Sequence, residues 1–501
     1  MQVELAFTSG HHTERIKKLV LRLSCCFWLE KYAIIPAVFT GDRPIMTLDK
    51  ARIDKEWLKA RAEDIRKVDY IDPALYRKYN VKRGLRNEDG TGVLVGLTTI
   101  GNVHGYVVSE GEKQAIPGEL FYRGIDVKDI VKADKREHRY GYEETAYLLL
   151  FGELPTVKQL IQWKNMLGSY RRLSDGFKEN AIMRNPSKDL MNAMARAVLF
   201  AYAFDLDDNP DDISIEKCLE QSIDLIGAIP TIAAYAYQAK AHYHDGASLL
   251  LRNPDPKKST AENILSLIRE DGKYSKLEAE ALDLALILHA EHGGGNNSSF
   301  TTHVVTSSFT DIYSSVAASI LSLKGSRHGG ANLRVMKQMD EIKANVKDWT
   351  NPADVEKYLE KIADKKAGDR TGLIYGLGHA VYTISDPRAV MLKSKAIKLA
   401  KEKNRMDDVN LFSLVEEKGP AIIKSRHPRA EDVCANVDLY SGLVYDMLGI
   451  PKELYTPLFA VARCVSWCAH RMEELINNGP IIRPAYKPLF HPKKYVDLKD
   501  R

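Results

Sequence analysis

Two stretches set histidine beside glycine. His289-Ala290-Glu291-His292 runs into Gly293-Gly294-Gly295-Asn296-Asn297, and Gly325-Ser326-Arg327-His328-Gly329-Gly330-Ala331-Asn332 leads into the apolar stripe Leu333, Met336 and Met339. In the first, two histidines three apart at a helix end can face one way. As a metal site they lack a third ligand at supporting spacing, and no HExxH signature is present. The glycines follow a helix C-terminus and so lack the helix N-terminus that makes a phosphate cradle; a capped helix with hydrogen-bonded imidazoles explains them equally well. In the second stretch, His328 falls at the N-terminus of the next helix, where the dipole opposes protonation. A neutral imidazole there can donate to a carbonyl oxygen, as enolate chemistry requires, or simply cap the helix.

Three further groups lie downstream. In Gly376-Leu377-Gly378-His379-Ala380-Val381-Tyr382-Thr383-Ile384-Ser385-Asp386-Pro387-Arg388 the glycines allow the backbone to approach a ligand, but the spacing fails the dinucleotide fingerprint. The bland reading is a tight surface turn with an exposed arginine. Asn436-Val437-Asp438-Leu439-Tyr440-Ser441-Gly442 opens a helix with the stripe Leu443, Val444, Met447 and Leu448, and puts Asp438 near the N-cap, where the dipole favours its carboxylate form. Asp438 is thus a base or a plain cap. Thr456-Pro457 starts a helix whose stripe of Leu458, Val461, Ala462, Val465, Cys468 and Met472 is interrupted by Arg463, which either snorkels or is held by an anion. Arg483 precedes Pro484 on an extended tail.

The elements that must position these groups are mostly helical. Thr156 caps a stripe of Val157, Leu160, Ile161 and Leu167; Leu282 to Leu288 is apolar all round, as in a helix buried on every side; Asp311 starts a Ser/Ala-rich helix that Gly325 stops. Only Val93 to Val108 reads as strand, enough for one or two hairpins. The fold class is all-α with a minor β region, and a second domain would have to be an insertion. With 72 basic and 67 acidic side chains in 501 residues, the +5 balance is too weak for a nucleic-acid partner but tolerates small anionic substrates. Six cysteines, two adjacent at Cys25-Cys26 and the rest scattered, read as reduced thiols of a cytoplasmic protein, with Cys464 and Cys468 one helical turn apart but no second pair to complete a zinc site. Leu19 to Phe39 is broken by Arg22, Glu30, Lys31 and Pro36 and cannot cross a membrane, and no signal-peptide pattern follows it. Residues 1–45 differ in character from the rest, which points to Met46 as the functional start, an ordinary N-terminal arm being the alternative.

In order, with intervals of 36, 51, 59 and 25 residues between His292, His328, His379, Asp438 and Arg463, these motifs resemble the citrate synthase family from about Met46 to Pro484. The Gly118-Glu119-Leu120-Phe121-Tyr122-Arg123-Gly124 and Glu143 to Pro155 segments look like that family's N-terminal signatures. The resemblance implies a helical homodimer with a large domain (46–329 and 445–501) and a smaller inserted one (330–444) that close over oxaloacetate to complete the acetyl-CoA site. It implies Asp438 as the base that takes a methyl proton of acetyl-CoA, His328 as donor to the thioester oxygen, and His379 as the group that polarises and protonates the oxaloacetate carbonyl. His292, Arg388 and Arg463 correspond to contacts with substrate carboxylates, and Arg483 to one made across the dimer. The stretch Leu373, Ile374, Tyr375, Gly376, Leu377 and Gly378 corresponds to the backbone that receives the adenine of coenzyme A. Acetyl-CoA is then a co-substrate, with no tightly bound cofactor and no metal. Ala380 and Thr383 stand where relatives often carry a basic residue, with Lys365, Lys366 or Arg370 as candidate substitutes. A 2-methylcitrate synthase using propionyl-CoA is the alternative, since one methylene is worth only about 1–3 kcal/mol of discrimination. A metal-dependent hydrolase built on His289, His292, His328 and His379, and a helical scaffold without catalysis, are rival readings.

Overall fold

The structure is a computed structural model that describes residues 54–87, 90–109, 112–205, 209–428 and 432–501. Cys25, Cys26, Met46 and the change of character at residues 1–45 lie outside them. The chain divides into two compact units, residues 1–95 and 96–501. In the first, the helices Lys55–Val68 and Pro73–Lys78 start at Asp54 and Asp72, whose carboxylates accept the N–H of Glu56 (2.8 Å) and Ala74 (2.9 Å).

The second unit carries the sequence's helical pattern almost intact. Among its helices, those that carry or frame the motif residues are α1 (Ile215–Asp245), α2 (Lys276–His289), α3 (Asn297–Thr306), α4 (Ile312–Lys324), α5 (Ala331–Asn345), α6 (Pro387–Lys403), α7 (Val437–Met447) and α8 (Tyr455–Asn477). Helix α8 is buried along nearly its whole length and packs on α1, α2, α3 and α4. It is therefore the axis of the core, and any charged group on it needs a partner. Asp311, Asp386 and Asn436 cap α4, α6 and α7 through their side chains. The small residues of α4 let it approach α3 closely: Thr302 Oγ1 meets Ser319 Oγ at 2.7 Å and Thr306 Oγ1 meets Ser315 Oγ at 3.0 Å. Pro230 lies inside α1.

The β region begins later and extends further than its sequence pattern suggests. Strand β1 (Gly101–Ser109) pairs antiparallel with β2 (Glu112–Tyr122), which pairs with the short β3 (Ile125–Asp126). The register slips at Gly105. A Cβ there would stand 2.6 Å from the carbonyl oxygen of Val381, so glycine lets the sheet lie against the 379–388 segment. Cys218, Cys434, Cys464 and Cys468 are buried free thiols. Among the described residues no helix is long and apolar enough to cross a membrane.

Candidate active site

The three glycines after α2 turn the chain directly into α3, whose N-cap is Asn296. The sequence reading denied that loop a helix N-terminus; the Asn296 carboxamide, accepting Ser298 N–H at 3.2 Å, supplies one. The two histidines of the same stretch part company. His289 is fully buried and stacks on Phe459 (centroids 3.5 Å apart, 16° between planes), whereas His292 meets His379 edge-on at 5.1 Å. Among the described residues the side chains that come within metal-binding reach of one another are His303, His470 and Glu473, not the expected set of His289, His292, His328 and His379.

His379 lies flat against Tyr382 (4.5 Å, 20°). Its Nδ1 accepts the N–H groups of Val381 and Tyr382, each at 3.1 Å, so the ring proton sits on Nε2. The sheet fixes this turn: the Tyr382 hydroxyl donates to Glu119 O (3.2 Å) and Gly118 N–H to Ser385 O (3.1 Å). At the end of the turn Arg388 is not on the surface. It is 3% exposed and gripped by Asp386 through Nε (3.0 Å) and Nη2 (2.8 Å), a fork geometry that only arginine offers. Asp386 Oδ2 also accepts Val437 N–H (3.1 Å), which ties the arginine to the start of α7.

Asp438 is the second residue of α7, after the Asn436 cap. The sequence reading expected the helix terminus to hold its carboxyl anionic. Burial instead raises it to about 6, with Arg388 and Arg463 pulling down and Asp386 pushing up. It is still mostly ionised at neutral pH, and close to the operating range of a general base. His328 is half-buried two residues before the Gly330 cap of α5. Its expected neutrality holds for another reason than the dipole: burial first, then the charge of Arg463, lowers it to about 4. Its Nε2 faces Ser298 Oγ at 3.3 Å, and that oxygen also accepts Trp467 Nε1–H at 3.2 Å.

Arg463, on the core helix α8, neither snorkels nor reaches solvent. It is 2% exposed, donates Nε to His289 O (3.1 Å) and lies 5.7 Å from the centre of the Phe459 ring. Burial draws its guanidinium down to about 10, against Glu291, so it stays charged. Its field acts on His292, His328 and Asp438 alike, which sets these side chains around one centre. Burial and that same group of charges hold His292 well below the ordinary histidine range.

The 373–378 segment borders the centre through α7. Gly376 O accepts Asn436 N–H (2.9 Å), Gly378 N–H donates to Cys434 O (2.8 Å), and Gly378 O accepts Asn436 Nδ2–H (2.9 Å). Gly376 and Gly378 have φ of 88° and 90°, a region glycine enters freely. Leu373 is exposed and Ile374 buried; Tyr375 N–H donates to Gln338 (2.8 Å), and Leu377 bridges Ala435. Lys365, Lys366 and Arg370 are exposed on the approach to this segment, Ala380 is exposed, and Thr383 Oγ1 is buried without a partner. Arg483 lies on an exposed stretch beyond α8. Sequence reasoning passed over Asp386, Tyr122, Glu291 and Ser298. Tyr122, inside the noted Gly118–Gly124 segment, shares its hydroxyl between the carbonyls of Ile287 (2.9 Å) and Glu291 (3.2 Å).

A helical scaffold that gathers three half-buried acid–base groups around buried arginines defines an enzyme acting on small anionic substrates. Residues 89–485 match the family model described as citrate synthase, C-terminal domain, and the chain belongs to the citrate synthase family. It is 31% identical over 390 residues to a citrate synthase of Haloferax volcanii (76% of this chain, 93% of the relative). It is 32% identical over 384 residues to a 2-methylcitrate synthase of Shewanella oneidensis (76% and 92%). Among solved structures it resembles the ternary complex of carboxymethyl coenzyme A and oxaloacetate with citrate synthase from Thermoplasma acidophilum, with TM-score 0.69, 27% identity and 84% and 99% of the two chains covered. It also resembles citrate synthase from Pyrobaculum aerophilum (TM-score 0.67, 30% identity, 82% and 94%).

Proposed function

We propose that the chain condenses acetyl-CoA with oxaloacetate and hydrolyses the resulting citryl-CoA to citrate and CoA. The observation that carries this reading is the set His328, His379 and Asp438 around Arg463 and Arg388. Asp438, ionised above about pH 6, takes a methyl proton. His328, kept neutral, donates to the thioester oxygen from Nδ1 when the Ser298 hydroxyl turns toward Nε2, and the methyl carbon becomes the carbon of an enol. That carbon bonds to the oxaloacetate carbonyl carbon while His379 delivers its Nε2 proton to the carbonyl oxygen. Water then cleaves the thioester. His292, Arg388 and Arg463 hold carboxylates, and residues 373–378 receive the adenine.

Residues 330–444 act as a small domain closing on the rest, and the working form is a cytoplasmic homodimer in which Arg483 completes the partner's site. The exposed aromatic side chains Tyr486, Phe490 and Tyr495 beyond Arg483 support a partner chain over the tail. The test is thiol release from acetyl-CoA and propionyl-CoA, run in parallel with and without oxaloacetate. Release that requires oxaloacetate and favours acetyl-CoA in kcat/KM supports the reading; preference for propionyl-CoA reassigns the substrate, and release without oxaloacetate rejects it.

A further inference from the structure

We infer that His470 is a positioning residue for the substrate-carboxylate end of the site: as an imidazolium within a buried relay it fixes Glu291, and through Glu291 the turn that carries His292. The relay runs Glu474 Oε2 to His303 Nδ1 (2.7 Å), His303 Nε2 to His470 Nδ1 (3.1 Å), and His470 Nε2 to Glu291 Oε2 (3.2 Å). Counting protons gives the two rings one positive charge between them: carboxylates only accept, so His303 donates from Nδ1 and His470 from Nε2, and a third proton lies between His303 Nε2 and His470 Nδ1. That proton belongs on His470, which two carboxylates face, whereas burial and the neighbouring His470 lower His303. His470 and Glu291 are wholly buried, and a second carboxylate oxygen, from Glu473, lies 3.8 Å from His470 Nδ1. Burial opposes the imidazolium, but Glu291 and Glu473 outweigh it and hold it up to about 9. The other charged groups facing these carboxylates are Arg463 on Glu291 and Arg123 on both.

The relay reaches the site through the backbone. Glu291 Oε1 accepts Gly293 N–H and the Glu291 carbonyl accepts the Tyr122 hydroxyl, so the residues on both sides of His292 are held. The sheet seals the pair: a Cβ at Gly101 would stand 2.7 Å from Glu291 Cγ. Without its cation, Glu291 would be a buried carboxylate short of one proton donor, and the turn would shift to let water in.

The inference rests on the proposed function for the identity of the substrate affected. In the full-length enzyme, His470→Gln keeps a donor toward Glu291 but removes the charge, and the pair His470→Gln with Glu291→Gln removes both charges. Expected for His470→Gln is a rise of about tenfold in KM for oxaloacetate, with KM for acetyl-CoA within about twofold of wild type, and for the double variant recovery to within about threefold. Equal movement of both KM values, or a double variant no better than the single, overturns the assignment. So does one equivalent of metal per purified chain, because His303, His470 and Glu473 offer ligand atoms within 4.8 Å of one another and a cation there would displace the shared proton. Where His470→Gln does not fold, the double variant is expected to fold, and its failure counts against the pair. If the wild-type chain releases no thiol, the functional reading falls separately, and thermal midpoints still judge the relay: a double variant more stable than His470→Gln is expected, and purely additive losses refute it.

Discussion

At Asp438 the local electrostatics oppose stability and serve catalysis. Its carboxyl is raised from the ordinary aspartate range to about 6, so the folded state binds the proton more tightly than the unfolded chain. Stability from this group is therefore present below about pH 4 and lost as pH rises through 6. Asp438→Asn should stabilise the protein at pH 7.5 by about 1–2 kcal/mol, read in a denaturant titration, while abolishing turnover. The same proton sets the pH profile: kcat/KM should rise tenfold per pH unit below about 6 and flatten above it, with no second step near 6.5, because His328 has already lost its proton near 4. An inflection near 6.5 that His328→Asn removes would show that imidazole titrating in the working range. At Ser298 one hydroxyl faces both the Asn296 carboxamide, at 2.9 Å, and His328 Nε2, at 3.3 Å. Ser298→Ala frees the His328 tautomer and should cut kcat about 10- to 100-fold with little change in KM for oxaloacetate.

At the scale of elements, the site is a meeting of helix beginnings and glycine-relieved turns. Gly376 shows what such a turn requires. Its φ is positive, and a Cβ would stand 2.8 Å from Leu439 Cδ1 in the helix that carries Asp438. Gly376→Ala should therefore raise KM for acetyl-CoA and lower kcat together, since the 373–378 segment is hydrogen-bonded to the start of α7; a change in thermal midpoint with unaltered kinetics would separate them. The helices were legible because caps and apolar stripes are local: Thr156, Asp311 and the all-round apolar run before His289 stand where the sequence puts them. The motif histidines and Asp438 were legible through their order and spacing. Long-range partners were not. Nothing in Gly376 to Arg388 says that Asp386 will grip Arg388, nor that Tyr382 will press against β2, because those contacts join elements more than 250 residues apart or reverse an expectation of exposure. The carboxyl shift of Asp438 was missed for the same reason: a cap is visible in sequence, whereas the apolar surroundings that outweigh it are assembled by other helices.

At the scale of the whole molecule, the charges that govern the site are local and buried. A net +5 on a 501-residue chain gives little surface field, yet Arg388 and Arg463 are both buried beside the acid–base groups. Arg463, whose Nε bonds only a backbone carbonyl, offers such a centre a charge for an anion, which the proposed dicarboxylate would supply. The proposed dimer extends this dependence to a second chain. Asp438→Ala and Arg483→Ala homodimers should each be nearly inactive, but subunit exchange between them leaves one intact site in every mixed dimer and should restore about a quarter of wild-type activity. No recovery after verified exchange would place Arg483 in the site of its own chain or outside catalysis.

The most direct measurement compares wild type and Asp438→Asn in oxaloacetate-dependent thiol release from acetyl-CoA, with oxaloacetate affinity measured on the same preparations. The expected result is a loss of about 10³-fold or more in kcat with oxaloacetate affinity within about threefold of wild type. An Asp438→Asn enzyme that retains a tenth of wild-type turnover, or that fails only because oxaloacetate no longer binds, would contradict proton abstraction by this carboxylate.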